Sequence, residues 1–416
     1  MSTPAAMRGP DQVARRARVA VAALFLTNGA LFANLLPRYP QIKADLALSN
    51  TVYGLAVIAF PAGAIASGLF AGMLVRRLGS ARVAVLGTVV TSVGVLCAGV
   101  APTTAAFVGA LFAAGAMDAL TDVGQNAHGL RVQRRYGRSI FNSFHALWSV
   151  GCVVGGAMAA GAIALDLPRG VHLAITGALF SAVAVVALRF CLPGVDGRVA
   201  DHGPVDADSA DGASDEVRPS AVVGRPSGRT TLVLGAFVLL AIGGTVVEEA
   251  GNSWAAVYLS DALGAAGAVA ASAFVAFMAA QFVGRATGDR LVDRFGQRAV
   301  VRAGGVLVVL GMGLALAFPS VPGTVAGFAT AGFGVATVVP AAMHAADELP
   351  GLRAGTGLTV VTWLMRLGFL LTPPLVGVVA DATSIRAGLL VVPLAGLVVV
   401  LTATVLSTRR SPGARR

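Results

Sequence analysis

Asp118 and Asp122 stand one helical turn apart inside an apolar run near 104–127, and Asn126 follows one turn later. Residues at i, i+4 and i+8 form a single stripe along a helix, and two carboxyls at that spacing titrate as a coupled pair. The stripe suits binding of a proton or of a cationic solute. Asp122 also has a plainer reading, as a cap or as a partner of Arg131 or Arg134, and for that residue the plainer reading is preferred. Glu248 and Glu249 lie in another apolar run, 231–258, with Asn252 one turn after Glu248. A carboxyl that is neutral in one state and ionised in another can couple proton flow to a conformational change. Glu248 is the lead proton carrier on this reading; the alternative is a static ion pair with Arg366.

Arg366 sits in the middle of the run 355–378. About 12 residues, or roughly 18 Å of helix, separate it from either end, too far for its side chain to snorkel to an interface. An arginine at the centre of a spanning helix costs about 2.5–3.5 kcal/mol on the insertion scale, so it needs an acid or a watered cavity. It either binds an anionic substrate group, bidentate if that group is a carboxylate, or is permanently paired and holds helices together. His145 and Ser149 make a polar stripe at the start of the run 140–163. The imidazole could relay a proton, although packing is the favoured reading. Trp148 and Trp254 could stack on a substrate ring, with interfacial anchoring an equal explanation for Trp254, and Asn28 in the first run is expected to face a cavity.

The elements that carry these groups follow from composition. Of 416 residues, 56% are hydrophobic and 12% charged, with a mean hydropathy of +0.79; soluble domains carry about 25% charged residues. Lipid must supply the missing apolar solvent, which excludes a soluble enzyme and a disordered chain. The formal charge of +11 does not signal nucleic-acid binding, because the basic residues are short clusters between apolar runs and aromatics are only 6%. Cys97, Cys152 and Cys191 have no metal-ligand spacing. No metal, cofactor or nucleotide motif is expected, and the only lysine, Lys43, lies between runs.

Twelve runs are long enough to cross a bilayer: 19–38, 52–75, 82–101, 104–127, 140–163, 171–192, 231–258, 266–288, 299–318, 323–345, 355–378 and 385–407. With the N-terminus placed in the cytoplasm, 26 of the 31 Lys and Arg residues fall on the cytoplasmic side, four fall outside and Arg366 is within a span. That bias predicts a multi-pass inner-membrane protein with both termini cytoplasmic. The stretch 194–229 holds seven acids, prolines and serines, and is expected to be a disordered cytoplasmic linker. The division is then a tail 1–18, a six-helix bundle 19–193, the linker, a six-helix bundle 230–408 and a tail 409–416.

The halves echo each other. Arg76-Arg77-Leu78-Gly79 ends the second span, and Asp293-Arg294-Phe295-Gly296 ends the eighth, 217 residues on. Repeated halves around a midplane site are a secondary-transporter architecture. Twelve spans, the six-plus-six split and the D-R-x-G turn resemble the major facilitator superfamily. Asp122-Val-Gly-Gln-Asn126, Ser143-Phe-His145-Ala-Leu-Trp148-Ser149, Glu248 with Trp254, and Gly368-Phe-Leu-Leu-Thr-Pro373-Pro374 together resemble its YbjJ-like bacterial inner-membrane transporters, distant relatives of fucose permease.

The resemblance implies an all-α membrane protein of two pseudo-symmetric bundles, with the first and fourth helices of each half lining a central cavity. It further implies that Arg285, Asp289, Asp293, Arg294 and Gly296, with Arg76 and Gly79 as the incomplete first-half copy, latch the cytoplasmic side. Glu248 and Asp122 occupy positions that match the family, whereas Asp118 and Arg366 are additions to its pattern. The expected activity is alternating-access transport of a small organic solute, proton-coupled, by a monomer in the lipid bilayer. Export is favoured because the cavity has few Asn and Gln anchors; uptake of a carboxylated or sugar-like nutrient and a non-transporting solute sensor are the alternatives.

Overall fold

The computed structural model describes residues 11–138, 140–194, 227–353 and 355–407, and is helical throughout. Residues 1–10 of the expected N-terminal tail, the C-terminal tail 409–416 and most of the expected linker, 195–226, lie outside the described residues. Among the described residues, twelve helical spans are long and apolar enough to cross a membrane. The first half holds α1 (Gln12–Ala33), α2 (Asn50–Val57 and Ala59–Leu78), α3 (Ser80–Gly99), α4 (Thr104–Tyr136), α5 (Phe141–Ala164) and α6 (Arg169–Leu188). The second holds α7 (Gly228–Val257), α8 (Gly267–Phe295), α9 (Gln297–Ala317), α10 (Val321–Val335 and Val338–Asp347), α11 (Thr356–Leu364 and Arg366–Ala382) and α12 (Ile385–Gly388 and Val391–Thr402). The end of the molecule carrying the start of α1 and the last residues of α12 is called terminal, and the other end distal.

Several boundaries differ from those expected. Helix α1 starts at Gln12, not 19, because the Asp11 side chain accepts from the Ala14 amide at 2.6 Å and caps it. Asp11 also pairs with Arg135 at 2.7 Å, and these two contacts hold its carboxyl below the usual range. Helix α4 runs nine residues past 127 and ends where Gly137 takes a left-handed conformation at φ 72°. Helix α11 is interrupted at Met365, whose carbonyl accepts from the Gly368 amide at 2.9 Å and from the Thr245 hydroxyl at 3.0 Å. A side chain from another helix thus enters the backbone ladder, a common cause of a break.

Packing repeats with a period of six helices. Helix α1 lies on α5, α2 and α3 lie on α4, and α3 lies on α6; likewise α7 lies on α11, α8 and α9 on α10, and α9 on α12. The turn glycines obey the same symmetry, with Gly79 at φ 87°, ψ 144° and Gly296 at φ 84°, ψ 151°. Only glycine takes that conformation without strain. Small residues let backbones touch: Gly304 of α9 and Gly334 of α10 face each other, and a Cβ on Gly304 would come 3.1 Å from the Gly334 carbonyl carbon. Gly304→Leu is therefore expected to cost about 1–3 kcal/mol through overpacking. A lowered thermal unfolding midpoint in detergent checks this, and an unchanged midpoint would contradict the close approach.

The halves meet at the distal end. The Asn50–Val57 segment of α2 lies on α11, and α5 lies on α8. Asp381 at the end of α11 accepts from the Asn50 and Thr51 amides at 3.0 and 2.8 Å, Lys43 pairs with Asp261 at 2.7 Å, and the Tyr53 hydroxyl donates to the Ser253 carbonyl. Among the described residues, every hydrogen bond or ion pair between halves lies at this end.

Candidate functional site

Between the halves, on the terminal side of this seam, is a cavity of about 310 Å³ walled by α1, α2, α4, α5, α7, α8 and α11. Larger grooves, about 710 Å³ beside Arg298 and Arg302 and about 700 Å³ between Arg15 and Phe190, lie on outer faces and have few converging polar groups.

Asn28 is the hub of the first-half wall and is 6% exposed. Its amide nitrogen donates to Asp118 Oδ1 at 2.7 Å, and its oxygen accepts from Trp148 Nε1 at 2.9 Å and Gln125 Nε2 at 3.2 Å. Helices α1, α4 and α5 are joined through this one amide. The neighbouring Gly29 makes the arrangement possible, because α1 rides on the Trp148 carbonyl of α5 with no room for a Cβ. Three bonds leave Asn28 little capacity for a ligand, so it orients Asp118 and Trp148.

On the second-half wall, Glu248 and Glu249 both face the cavity, as does Asn252. Glu248 Oε1 lies 3.4 Å from Arg285 Nη2, with side chains 17% and 35% exposed. Glu249 makes no ion pair among the described residues; Ser253, one turn on, donates to its backbone carbonyl at 2.7 Å. Phe32 and Phe60 stack at 3.8 Å between ring centres and supply an aromatic wall with Tyr39, Phe274 and Phe369. Cys152 is also in the wall, which holds acids of both halves, Asp118 with Glu248 and Glu249.

The geometry brings together Asn28, Asp118, Trp148, Glu248 and Asn252 and leaves other candidates outside. Arg366 is absent from the cavity wall, and its guanidinium lies 4.7 Å over the Trp363 ring. A cation–π contact takes the place of the expected acid. The partner of Glu248 is therefore Arg285, which the sequence assigned to the gate. Seven residues separate Arg285 from Met278, so both share the cavity face of α8. Trp254 is fully buried at the seam, edge-on to Tyr53 at 5.0 Å, and neither lines the cavity nor anchors at an interface.

Asp122 is exposed and accepts from Gln125 at 3.3 Å. Arg131 donates instead to the Pro193 and Gly194 carbonyls. Asn126 lies outside the wall, with a buried side-chain oxygen that has no partner among the described residues. His145 is exposed, its ring edge-on to Phe25 at 5.2 Å and Phe141 at 5.0 Å, which is a packing role.

The terminal turn is also unlatched. Asp289, Asp293, Arg294 and Arg76 are exposed and make no ion pairs among the described residues, and Arg294 lies over Phe295 at 5.3 Å. Sequence reasoning missed Gln125, Tyr39, Tyr53, Phe32 and Phe60. Gln125 stood in the quoted span-four motif; the aromatics carried no signal beyond apolarity.

Comparison with known proteins agrees with this architecture. A family model described as Major Facilitator Superfamily matches residues 21–248 and 232–416. The uncharacterized transporter y4wD of Sinorhizobium fredii is 30% identical over 388 residues, covering 93% of this chain and 97% of the relative. The membrane protein MosC of Rhizobium meliloti is 26% identical, covering 94% of this chain and 90% of the relative. Among solved structures, an inward-facing, unoccupied bacterial homologue of the human lysosomal transporter Spinster superposes with a TM-score of 0.69 at 15% identity, covering 97% of this chain and 100% of that one. The D-xylose–proton symporter gives 0.66 at 15% identity, covering 93% and 96%. At such identities these two likenesses speak to the fold alone. The chain belongs to the Major Facilitator Superfamily and is a multi-pass membrane transporter, not an enzyme.

Proposed function

We propose that the protein couples proton movement to the transport of a small organic solute, with export as the working direction, and that its subgroup is the YbjJ-like one. The observation that carries this reading is the pair of carboxyls, Asp118 from one half and Glu249 from the other, facing one cavity without an ion-pair partner among the described residues. In a bilayer such groups are costly when ionised, and they mark proton relays and substrate paths. Glu248, held by Arg285, is the regulated partner of Glu249: a proton or cation arriving at one alters the charge balance of the other. With both termini cytoplasmic, as the arginine distribution supports, the contacts that join the halves at the distal end support an inward-open reading. One chain completes the cavity, which supports a monomer of two six-helix bundles joined by 194–229. Uptake of a carboxylated nutrient is not favoured, since Arg366 engages Trp363 outside the cavity wall.

The test compares cells and medium by untargeted mass spectrometry for hosts expressing wild type, Glu249→Gln or empty vector, followed by uptake of the identified solute into proteoliposomes under an imposed pH gradient. The expected result is a solute depleted inside cells with wild type alone, and at least 50-fold slower gradient-driven movement with Glu249→Gln or Asp118→Asn at equal protein levels. Movement of that solute at wild-type rates by both variants would end the proton-coupling role of these carboxyls, and accumulation inside cells would reverse the direction.

A further inference from the structure

We infer that the transported solute is a small monovalent organic cation with an aromatic or apolar body, held between Asp118 and Glu249. The inference rests on the transport reading above but not on its proton coupling. Three features of the cavity carry it together. First, its wall holds three carboxyls and, among the described residues, no lysine, arginine or histidine; Arg285 beside it contacts Glu248. Asp118 and Glu249, one from each half, have no cation of their own, and a cationic guest is what would let them ionise. An anionic solute would meet carboxyls and no positive partner in a low-dielectric site, a built-in rejection.

Second, the wall that holds the acids is also aromatic, with the Phe32–Phe60 stack at 3.8 Å and Trp148, Phe274 and Phe369 in the same lining. Ring faces attract a cation within about 6 Å and do so more strongly when it is desolvated. An apolar body shields such a cation's own charge, so little hydration is lost on entry. Third, the hydrogen-bonding capacity is small. Asn28 spends its amide on Asp118, Trp148 and Gln125, which leaves Asn252 as the wall's one uncommitted amide. A polyol would lose its water and regain few bonds. The volume of about 310 Å³ is at the low end of the roughly 300–1,000 Å³ found for small-molecule sites, which limits the guest to a small molecule.

The same geometry gives the cation and the proton common seats, so each displaces the other, an exchange that suits export. The experiment uses the purified full-length protein in lipid nanodiscs and isothermal titration with three probes of one shape: N-methyl-4-phenylpyridinium, neutral 4-phenylpyridine at pH 7.5, and biphenyl-4-carboxylate. Wild type is expected to bind the cation at least tenfold more tightly than the other two. Asp118→Asn and Glu249→Gln should each weaken it tenfold or more, Glu249→Asp should retain most of it, and Glu348→Gln, an acid remote from the cavity, should leave it unchanged. Size-exclusion profiles confirm that each variant is folded. Equal or tighter binding of the neutral or anionic probe, or no binding of the cation at millimolar concentration, overturns the inference. If cation binding fails while proteoliposomes still move another solute with the pH gradient, the substrate class falls and the transport reading stands. If the cation binds through both acids but no gradient drives it, the class stands and the coupling falls.

Discussion

Leucine at Gly54 should hold the distal end of the transporter open. Gly54 lies where α2 crosses α11, and a Cβ there would come 2.8 Å from the Pro373 carbonyl carbon and 2.9 Å from the Pro374 Cα. Those atoms are backbone, so relief requires the helices to separate, and the two halves part along this line. Gly377 makes the reciprocal approach, its Cβ position 2.8 Å from the Asn50 carbonyl carbon. Overpacking of about 1–3 kcal/mol bears on the closed state alone, because the contact is absent once the seam opens. A penalty of that size changes the closed-to-open ratio by roughly 5–150-fold.

Cys152 reports it, being 6% exposed and part of the cavity wall. With Cys97 and Cys191 replaced by serine, a membrane-impermeant maleimide should label wild-type Cys152 only from the terminal side. In Gly54→Leu it should label from the distal side, with labelling from the terminal side correspondingly reduced. Unchanged sidedness would mean that α2 and α11 do not form the closing surface. Asp381→Ala, which removes the carboxylate from the Asn50 and Thr51 amides, should act in the same direction but more weakly, since it deletes a contact and adds no clash.

The spans were legible because a bilayer imposes a length and a composition that few other constraints resemble, and the D-R-x-G turn was legible because glycine is needed there for its backbone angles. Asn28, Asp118, Glu248 and Asn252 were legible for a related reason: a polar group inside an apolar run must face something other than lipid. That argument identifies a residue that needs a partner without naming the partner. Arg366 met the same criterion and went elsewhere, because the interruption of α11 at Met365 and a neighbouring tryptophan gave it a contact on its own helix. Arg285 was masked by its position near a charged turn, where i, i+4 neighbours explain any arginine; its reach toward α7 depends on the crossing of α7 and α8. Trp254 and Tyr53 belong to a seam between residues distant in the chain, and no local pattern encodes it.

Arg285 carries the other large expected effect. Arg285→Met should slow solute transport 100-fold or more, about 2.7 kcal/mol at 1.36 kcal/mol per tenfold, while the protein remains monodisperse. Glu248 and Arg285 meet through one long contact of 3.4 Å between half-buried side chains, so the pair is a modest structural tie and its loss alone should not unfold the bundle. Its larger consequence is electrostatic. Without the guanidinium, Asp118, Glu248 and Glu249 share one cavity with no basic residue in its wall among the described residues, and like charges in low dielectric cannot all remain ionised. The cavity would then hold protons through the whole cycle and have none to exchange.

Two further substitutions separate this from a purely structural role. Arg285→Lys restores a positive charge, and because the observed contact does not use the guanidinium's paired donors it should recover transport to within about tenfold of wild type. The double replacement Glu248→Gln with Arg285→Met removes both charges together and should recover the protein level and thermal midpoint of wild type without recovering gradient-driven transport. Full transport by the double variant would mean that the pair only ties α7 to α8, and that Glu249 and Asp118 suffice for exchange.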